Sequence, residues 1–547
     1  MAVMIGSNIE KMFFGRKPVL ELLKRRVIDL KEGYRQNVAL LGPQYVGKSS
    51  ILQHFILNFD DKNVAVVYLD LEEKDFNYLA FKFTTSLLYS YARGRHLSVY
   101  DDINLLLEVT KESIPNTVQV IKKILSETLS GKHSDALLGL LALPEIFTTE
   151  SGMFCMLVFD EFQCLGEYSS NVFKVLGKKI MTQKRCFYVM SSSYPVLAKQ
   201  ILSEKLSLLF GNFELVDIEP FNLQESQSFI DHCLDEIRIG AQLKSFLADF
   251  TGGHPLYLAL ICREMINLSA IFKQNEIYMP LLAQAVENTI FDKWGVISRH
   301  FDLLVKELCS GKIGKAVISV LVALSSGRHK FDEIVSFTGL NKSQCKQRLS
   351  KLIEMGVVEK NGNFYYVKNK LFRYWIKYVY HKRLEVVELV PDKQRRLFRE
   401  EFNKCVDTFR VNSRKDFSVR VMELFYCFDN EAFNLNGRKY RLPVFTRIEP
   451  LKLRSSSGVC FDLLKATTAT GVWFVIVKKE SFCDNDLNVL LTEIKKKEVK
   501  PDRFLIVSLS EPDDNVKLRA LQEKFWIWTE TELNDLLAIF DKPYILG

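Results

Sequence analysis

Apolar residues along this chain come in short runs that stop abruptly. Asn37–Leu41 (NVALL) and Phe154–Phe159 (FCMLVF) read as buried strands, Asn63–Leu71 (NVAVVYLDL) as a further strand, Cys186–Ser193 (CFYVMSSS) as a strand with a polar end, and Phe213–Phe221 (FELVDIEPF) can make a fifth. Between them the spacing turns helical. Ile51, Leu52, Phe55 and Ile56 mark one face of a helix predicted over Ser49–Asn58. Strands alternating with helices predict a parallel sheet covered by helices, an α/β fold. Ala136–Pro144 (ALLGLLALP) is apolar throughout but too short to cross a bilayer, and predicts a buried helix.

Further on the pattern changes twice. Gly314–Val367 reads as helix, helix, turn, helix and a short hairpin turning at Asn361-Gly362, the order of a winged helix. Asn341 or Ser343 would cap the third helix. Leu349, Leu352 and Ile353 would face inward, with Lys342, Lys346, Gln347, Arg348 and Lys351 mostly outward. From about Glu385 a helix-rich stretch precedes three strands, Gly458–Leu464, Gly471–Glu480 and Arg503–Leu509. The boundaries read as 1–220 for the α/β core, 221–300 for a helical lid, 301–384 for the winged helix and 385–547 for a C-terminal α/β domain.

Charge sharpens one part of this picture. The 547 residues sum to +8. Asn341–Arg383 carries eleven Lys and Arg against two Glu, so +9 falls in one short segment and the rest sums to about −1. Cations concentrated on one helix are an electrostatic footprint for a phosphate backbone, so Lys342, Lys346, Arg348 and Lys351 are candidate contacts to double-stranded DNA. A solvated face and a protein-docking face are the alternatives. Eleven cysteines show no CxxC pair and no His cluster at metal spacing, as in a reduced cytoplasmic protein. The N-terminal residues lack a signal-peptide pattern, and no uncharged apolar run approaches the ~20 residues of a span, so no membrane partner is expected.

The first strand supplies the chemistry. Gly42-x4-Gly47-Lys48-Ser49 is a Walker A pattern, placed as it must be between a strand and a helix. Inward-facing N–H groups of such a loop, with those opening the helix at Ser49 and Ser50, hold phosphate oxygens. Lys48 would reach the β- and γ-phosphates of ATP, and the Ser49 hydroxyl would sit on Mg²⁺. Phe154–Phe159 ends in Asp160-Glu161. Asp160 would complete the Mg²⁺ shell and Glu161 would act as general base on water. Ser191–Ser193 end another strand where a γ-phosphate sensor would lie, Ser192 at its centre. In parallel sheets ligands sit beyond the C-terminal strand ends, where Gly42, Asp160 and Ser191 all fall.

Several stretches together resemble archaeal-type P-loop ATPases, of the STAND branch near AAA+. Phe13–Leu23 (FFGRKPVLELL) resembles the family's N-terminal box, which implies that Arg16 packs near the adenine. Thr251–Leu258 (TGGHPLYL) resembles its Gly-x-Pro lid motif, which implies a nucleotide-sensing role for Pro255. Lys368–Val379 (KNKLFRYWIKYV) resembles a segment that follows the winged helix in one subgroup, with Asn369-Lys370 in place of Asp-Pro. A restriction-endonuclease-like domain often follows there. On that resemblance Asp462 takes the first acidic place, Lys478 the lysine place and Glu423 the auxiliary acid. Ile476 stands where a second metal-binding carboxylate belongs, which implies a degenerate nuclease fold; a plain α/β interaction domain is the equal alternative. Relatives usually carry Gly-Arg where Gly211-Asn212 stands, which implies slow hydrolysis.

The expectation is therefore an ATP- and Mg²⁺-dependent switch that couples nucleotide state to DNA or to a protein partner, with oligomerisation open. Its rivals are an ATP-binding scaffold with little hydrolysis and an ATP-regulated DNA nuclease.

Overall fold

A computed structural model describes residues 13–72, 75–206, 213–309, 316–381, 391–454, 460–488 and 501–545. Gly211-Asn212 and Gly458 lie outside the described residues. The chain divides into two compact units, Met1–Phe221 with His254–Leu256, and Asn222–Gly253 with Tyr257–Gly547.

In the first unit β1 (Asn37–Leu41), β2 (Val64–Asp70), β3 (Phe154–Asp160), β4 (Cys186–Ser192) and β5 (Phe213–Asp217) form one sheet in the order β2-β3-β4-β1-β5. Every pairing in it is parallel. The uniform apolarity read from β1 has its cause here, since all five of its residues are buried, covered on both faces. One face packs Val38 and Leu40 against Leu23, Val27, Ile51, Leu52 and Phe55. The other packs Ala39 and Leu41 under a second cluster. That cluster reaches into four helices set between β2 and β3, Phe76–Gly94, Ile103–Thr110, Pro115–Leu129 and His133–Ser151. The apolar run Ala136–Pro144 is the middle of the last of them, with Pro144 inside the helix.

The second unit begins with helices Leu223–Leu234, Ala241–Thr251, Pro255–Phe272 and Met279–Phe291, with β6 (Arg238–Ile239) pairing β7 (Glu276–Ile277). The helix Pro255–Phe272 is long and apolar enough to span a bilayer by length and composition. Its apolar side, Tyr257, Leu258, Ile261, Cys262, Met265 and Leu268, is buried. Helices Val296–Cys309, Ala316–Ser325, Phe331–Thr338 and Lys342–Glu354 then lead to an antiparallel hairpin, β8 (Val358–Asn361) and β9 (Phe364–Val367). Asn341 caps the helix Lys342–Glu354 by accepting from Gln344 N–H at 2.8 Å. Its inward stripe is Cys345, Leu349 and Leu352, while Ile353 is only half-buried.

The substituted turn Asn369-Lys370 keeps a capping role. Asn369 accepts from Phe372 N–H at 3.0 Å and its amide donates to Tyr257 Oη at 2.6 Å. Lys370 pairs with the buried Asp249 at 2.9 Å and lies over the Tyr544 ring, while Tyr544 N–H donates to the same carboxylate at 3.1 Å. The C-terminal segment is thereby tied to the helix Ala241–Thr251.

Helices Pro391–Ser413 and Phe417–Phe425 precede a hairpin of β10 (Ala432–Leu435) and β11 (Arg438–Arg441). A second five-stranded sheet follows, β12 (Arg447–Arg454), β13 (Cys460–Thr467), β14 (Val472–Lys478), β15 (Arg503–Ser508) and β16 (Trp526–Trp528), in that order. It is mixed, since β12–β13 and β13–β14 are antiparallel whereas β14–β15 and β15–β16 are parallel.

Burial also sets a titration. His300 is half-buried beside Phe301, and loss of solvent pushes its pKa down to about 4. The unfolded chain would bind that proton near pH 6.5, so between pH 6.5 and 4 the unfolded state carries more protons and stability falls as pH falls. Replacing His300 with Gln should flatten the pH dependence of the thermal midpoint over that window. An unchanged slope would show that His300 is not desolvated.

Candidate functional site

Strand order decides what can meet at the sheet's C-terminal edge. β4 lies between β1, which carries the glycine loop, and β3, which carries the acidic pair. The end of β4 therefore stands between Lys48 and Asp160-Glu161. Gly42 N–H donates to the Ser192 carbonyl at 3.2 Å, which fixes the loop to that strand end.

The loop needs both glycines. A Cβ on Gly42 would sit 2.2 Å from the Ile218 carbonyl oxygen. Gly47 has φ +105°, closed to residues with a side chain. No side chain caps the helix Lys48–Leu57, whose N-terminal N–H groups open onto the loop. Lys48 is buried, and its Nζ donates to Gly42 O (3.0 Å), Pro43 O (2.9 Å) and Ser193 Oγ (2.9 Å), with Glu161 Oε1 at 3.9 Å. Burial pushes its pKa down, and Glu161, Asp160 and Glu72 push it back up. Ser49 is half-buried and Ser50 exposed.

Both carboxylates are held from two sides. Asp160 Oδ2 accepts from Tyr68 Oη at 2.7 Å, and Oδ1 accepts from Ser191 Oγ. Glu161 Oε1 accepts from Ser193 Oγ; Oε2 accepts from Ser193 N–H (2.8 Å) and Gln163 Nε2 (2.7 Å). Glu161 has φ +54° and ψ +50°, a left-handed conformation uncommon outside glycine and asparagine. This conformation turns the chain out of β3 into the helical turn Phe162–Glu167 and brings the carboxylate back over the strand ends.

The serine reading needs correction. Ser192 was expected at the phosphate sensor position, but its hydroxyl accepts from Tyr194 N–H at 3.1 Å. Side chains alternate along a strand, so Ser191 and Ser193 share the other side and reach Asp160, Glu161 and Lys48. Among the described residues, Pro255 itself makes no polar contact to the loop. It opens a helix, and it is the neighbouring His254 whose Nε2 lies 2.9 Å from the Gln44 carbonyl in the glycine loop. Arg16 grips backbone, donating to Glu219 O (2.6 Å) and Val46 O (3.4 Å) with its guanidinium 4.7 Å above Phe221. It buttresses the loop through Val46.

Tyr68 and Glu72 carry no motif and went unnoticed in the sequence. Tyr68 sits near the end of β2, which pairs with β3 so that Asp70 lies beside Asp160. Its hydroxyl is pushed well above the usual tyrosine range by burial and by Asp160, so it stays a donor. Glu72, at the exposed rim, is pushed up by loss of solvent and by Glu161, Asp70 and Asp160. The only signal in the sequence was the acidic ending of that strand, Asp70-Leu71-Glu72.

The residues fit a nucleotide phosphate and Mg²⁺. The loop's close packing leaves no room for a Cβ at Gly42, and the donors it offers are backbone N–H groups and one buried ammonium. Mg²⁺ keeps several waters and takes one or two carboxylates, so Asp160 and Ser49 are a sufficient protein share. Among the described residues no group of three or more His, Cys, Asp or Glu is arranged to hold a metal ion.

The basic helix and the C-terminal domain bring two further corrections. Lys351 is not outward, since its Nζ donates to the Leu308 carbonyl at 2.9 Å. Arg348 is half-buried and folds back onto Gln344 O at 2.8 Å. Lys346 is exposed, and Lys342 is exposed and paired with Asp332 at 3.2 Å. In the second sheet Asp462 stands opposite Val477 on β14. Val477 and Leu464 face one apolar cluster, Ile476 and Leu463 the other. Asp462 therefore shares a face with Val477, while Lys478 shares the opposite face with Ile476. Lys478 pairs with Asp486 at 2.7 Å and Glu423 with Lys415 at 2.6 Å. The expected nuclease constellation is not assembled.

No protein-family model matches the chain, and no curated protein matches it. Among solved structures it is similar to the Walker-type ATPase PABY2304 of Pyrococcus abyssi, at 15% identity over 66% of this chain and 96% of that one, with a TM-score of 0.48. The Aeropyrum pernix ORC2 protein, solved as ADPNP–ADP complexes, matches at 11% identity over 68% of this chain and 95% of that one, with a TM-score of 0.44. The Thermotoga maritima RuvB Holliday junction branch migration motor matches at 12% over 67% and 96%, with a TM-score of 0.34.

The serine correction is testable by thermal unfolding. Ser191→Ala leaves a buried carboxylate oxygen of Asp160 without its donor and should cost about 1–3 kcal/mol. Ser192→Ala leaves only the Tyr194 N–H to find water and should cost less. The reverse order would restore Ser192 as the serine that faces the site.

Proposed function

We propose that the chain is an ATP-binding, ATP-hydrolysing switch whose nucleotide site is the glycine loop with Asp160 and Glu161. The single observation that carries this reading is Ser193 Oγ, which touches Lys48 Nζ on one side and Glu161 on the other. Gly47, Ser49 and Ser50 supply the backbone N–H cradle, Gly42 lets the loop close against the end of β4, and Lys48 supplies the cation for the β- and γ-phosphates. Bound Mg²⁺ would offset phosphate charge, held by Ser49 and by Asp160, whose carboxylate Tyr68 and Ser191 orient. Glu161 accepts a proton from water at its carboxylate. Because Ser193 bonds both groups, any ligand that recruits Lys48 changes the hydrogen bonding of Glu161. That link ties binding to the readiness of the base.

Lys48→Ala should remove most of the thermal stabilisation given by Mg-ATP, which arises from binding to the folded state. Equal stabilisation of variant and wild type would end the assignment. Glu161→Gln should keep that stabilisation and lose turnover by roughly 10²-fold or more, as for loss of a general base. Wild type that binds ATP but shows no turnover, with duplex DNA added or without, would favour the scaffold reading. The hydrogen bonds on both Glu161 oxygens, Ser193 Oγ on Oε1 and Ser193 N–H with Gln163 Nε2 on Oε2, are the observation in that rival's favour.

For the second unit we propose a winged helix whose exposed cations, Lys342 and Lys346, meet the backbone of double-stranded DNA. Lys351 is withdrawn from that set. Replacing Lys342 and Lys346 with Gln should weaken binding and reduce the log–log salt slope by about two, one per lost phosphate contact. Replacing Lys351 should leave the slope unchanged. Equal affinity of the double variant across a salt series would assign the helix face to solvent or to a protein.

A further inference from the structure

We infer that the β8–β9 hairpin is a strand-pairing joint to the C-terminal domain, and that its tip meets this chain's own β10 rather than a nucleic acid. The inference concerns the second unit alone and stands whether or not ATP is hydrolysed.

The tip approaches β10 backbone to backbone. Gly362 has φ +59°, and a Cβ there would fall 1.9 Å from the Ala432 carbonyl oxygen and 2.7 Å from Phe433 Cα. Asn363 N–H donates to that same Ala432 oxygen at 3.1 Å. One residue before the turn, the Asn361 side chain imitates a neighbouring strand. Its Nδ2 donates to Asn434 O at 3.0 Å and its Oδ1 accepts from Asn434 N–H at 2.6 Å. An amide side chain that satisfies both groups of one backbone residue reproduces what a paired strand would supply, which is the logic of strand addition to an open sheet edge.

The start of β9, next to the turn, is fixed as firmly. Phe364 is buried within the apolar cluster of the C-terminal domain, its ring 5.3 Å from Phe540 and 6.0 Å from Phe428. Lys330, which bridges to Phe364 as an isolated β-pair, forms an ion pair with Glu431, the residue just before β10. His329 stands 3.2 Å from Asp541, which also pairs with Arg373. Backbone pairing, a buried aromatic and ion pairs therefore converge on a four-residue strand. A wing that enters a groove needs a free tip, and this tip has its turn glycine pressed against a carbonyl. The surface left to a polyanion is the exposed side of the helix Lys342–Glu354.

Amide hydrogen exchange on the full-length chain tests the joint. In wild type the amides of Asn363 and Asn434 should exchange slowly. Asn361→Ala removes two hydrogen bonds and should speed exchange at both positions by about tenfold, leaving the helix Ala316–Ser325 unchanged. Gly362→Val, which cannot close onto Ala432, should abolish protection at both. Fast exchange of these amides in wild type would overturn the inference without recourse to any variant, and so would unchanged exchange in Asn361→Ala. A duplex oligonucleotide that slows exchange in the hairpin while speeding it at Asn434 would show that the tip leaves β10 for nucleic acid, and would overturn it too.

Discussion

Everything at the candidate site follows from burying one ammonium group at the C-terminal edge of a parallel sheet. Lys48 is 4% exposed. An interior ammonium is tolerable only when its protons are satisfied and an opposite charge is near. Here two loop carbonyls, a serine hydroxyl and Glu161 meet those demands. Each partner depends on a different part of the sheet. The carbonyls require the loop to curl back over its own lysine, which Gly42 and Gly47 permit. The hydroxyl requires β4 to end beside β1. Glu161 requires the left-handed turn after β3. Remove the order β3-β4-β1 and these groups no longer converge.

The same constraint explains why Asp160 is clamped by Tyr68 and Ser191. A carboxylate this close to a buried cation must keep one orientation if it is to hold a metal rather than form an ion pair with the lysine. Donors on both oxygens fix that orientation. Tyr68 comes from β2, on the far side of β3 from the loop, and Gln53 of the helix Lys48–Leu57 hydrogen-bonds to Tyr68. Two strands and the loop helix thus meet through one phenol, and β4 joins them through Ser191 on the same carboxylate.

How much of this was legible in the sequence depends on the range of the interaction. β1 and β3 were readable because a strand buried on both faces is apolar at nearly every position, β5 less so because it is an edge strand with no buried residue, and the glycine loop was readable because its conformation allows few residues. The four helices between β2 and β3 were not foreseen beyond Ala136–Pro144. Tyr68 could not be assigned, since its role exists only once β2 pairs with β3. Ser192 was misplaced by parity, where a shift of one residue exchanges the faces of a strand. Lys351 was readable in hindsight, because it flanks the Cys345, Leu349 and Leu352 stripe at helical spacing. The separation of Asp462 from Lys478 was not, since it follows from the pairing of Asp462 with Val477.

The second unit shows a different use of buried charge. Glu287 is buried and meets Arg395 and Arg399; Asp249 is buried and meets Lys370 and the Tyr544 amide. Such pairs gain little stability over apolar packing, because the cost of desolvating two charges offsets most of their attraction. Their geometry is specific, however, and breaking one partner leaves an uncompensated charge inside. Both acids belong to helices that follow β5, and all three bases, Lys370, Arg395 and Arg399, lie downstream of the β8–β9 hairpin. The contacts therefore fix one arrangement of segments far apart in the chain, where apolar packing alone would accept several. In one unit a buried charge gathers the ends of β1, β3 and β4; in the other, buried charges select one arrangement of segments distant in the chain.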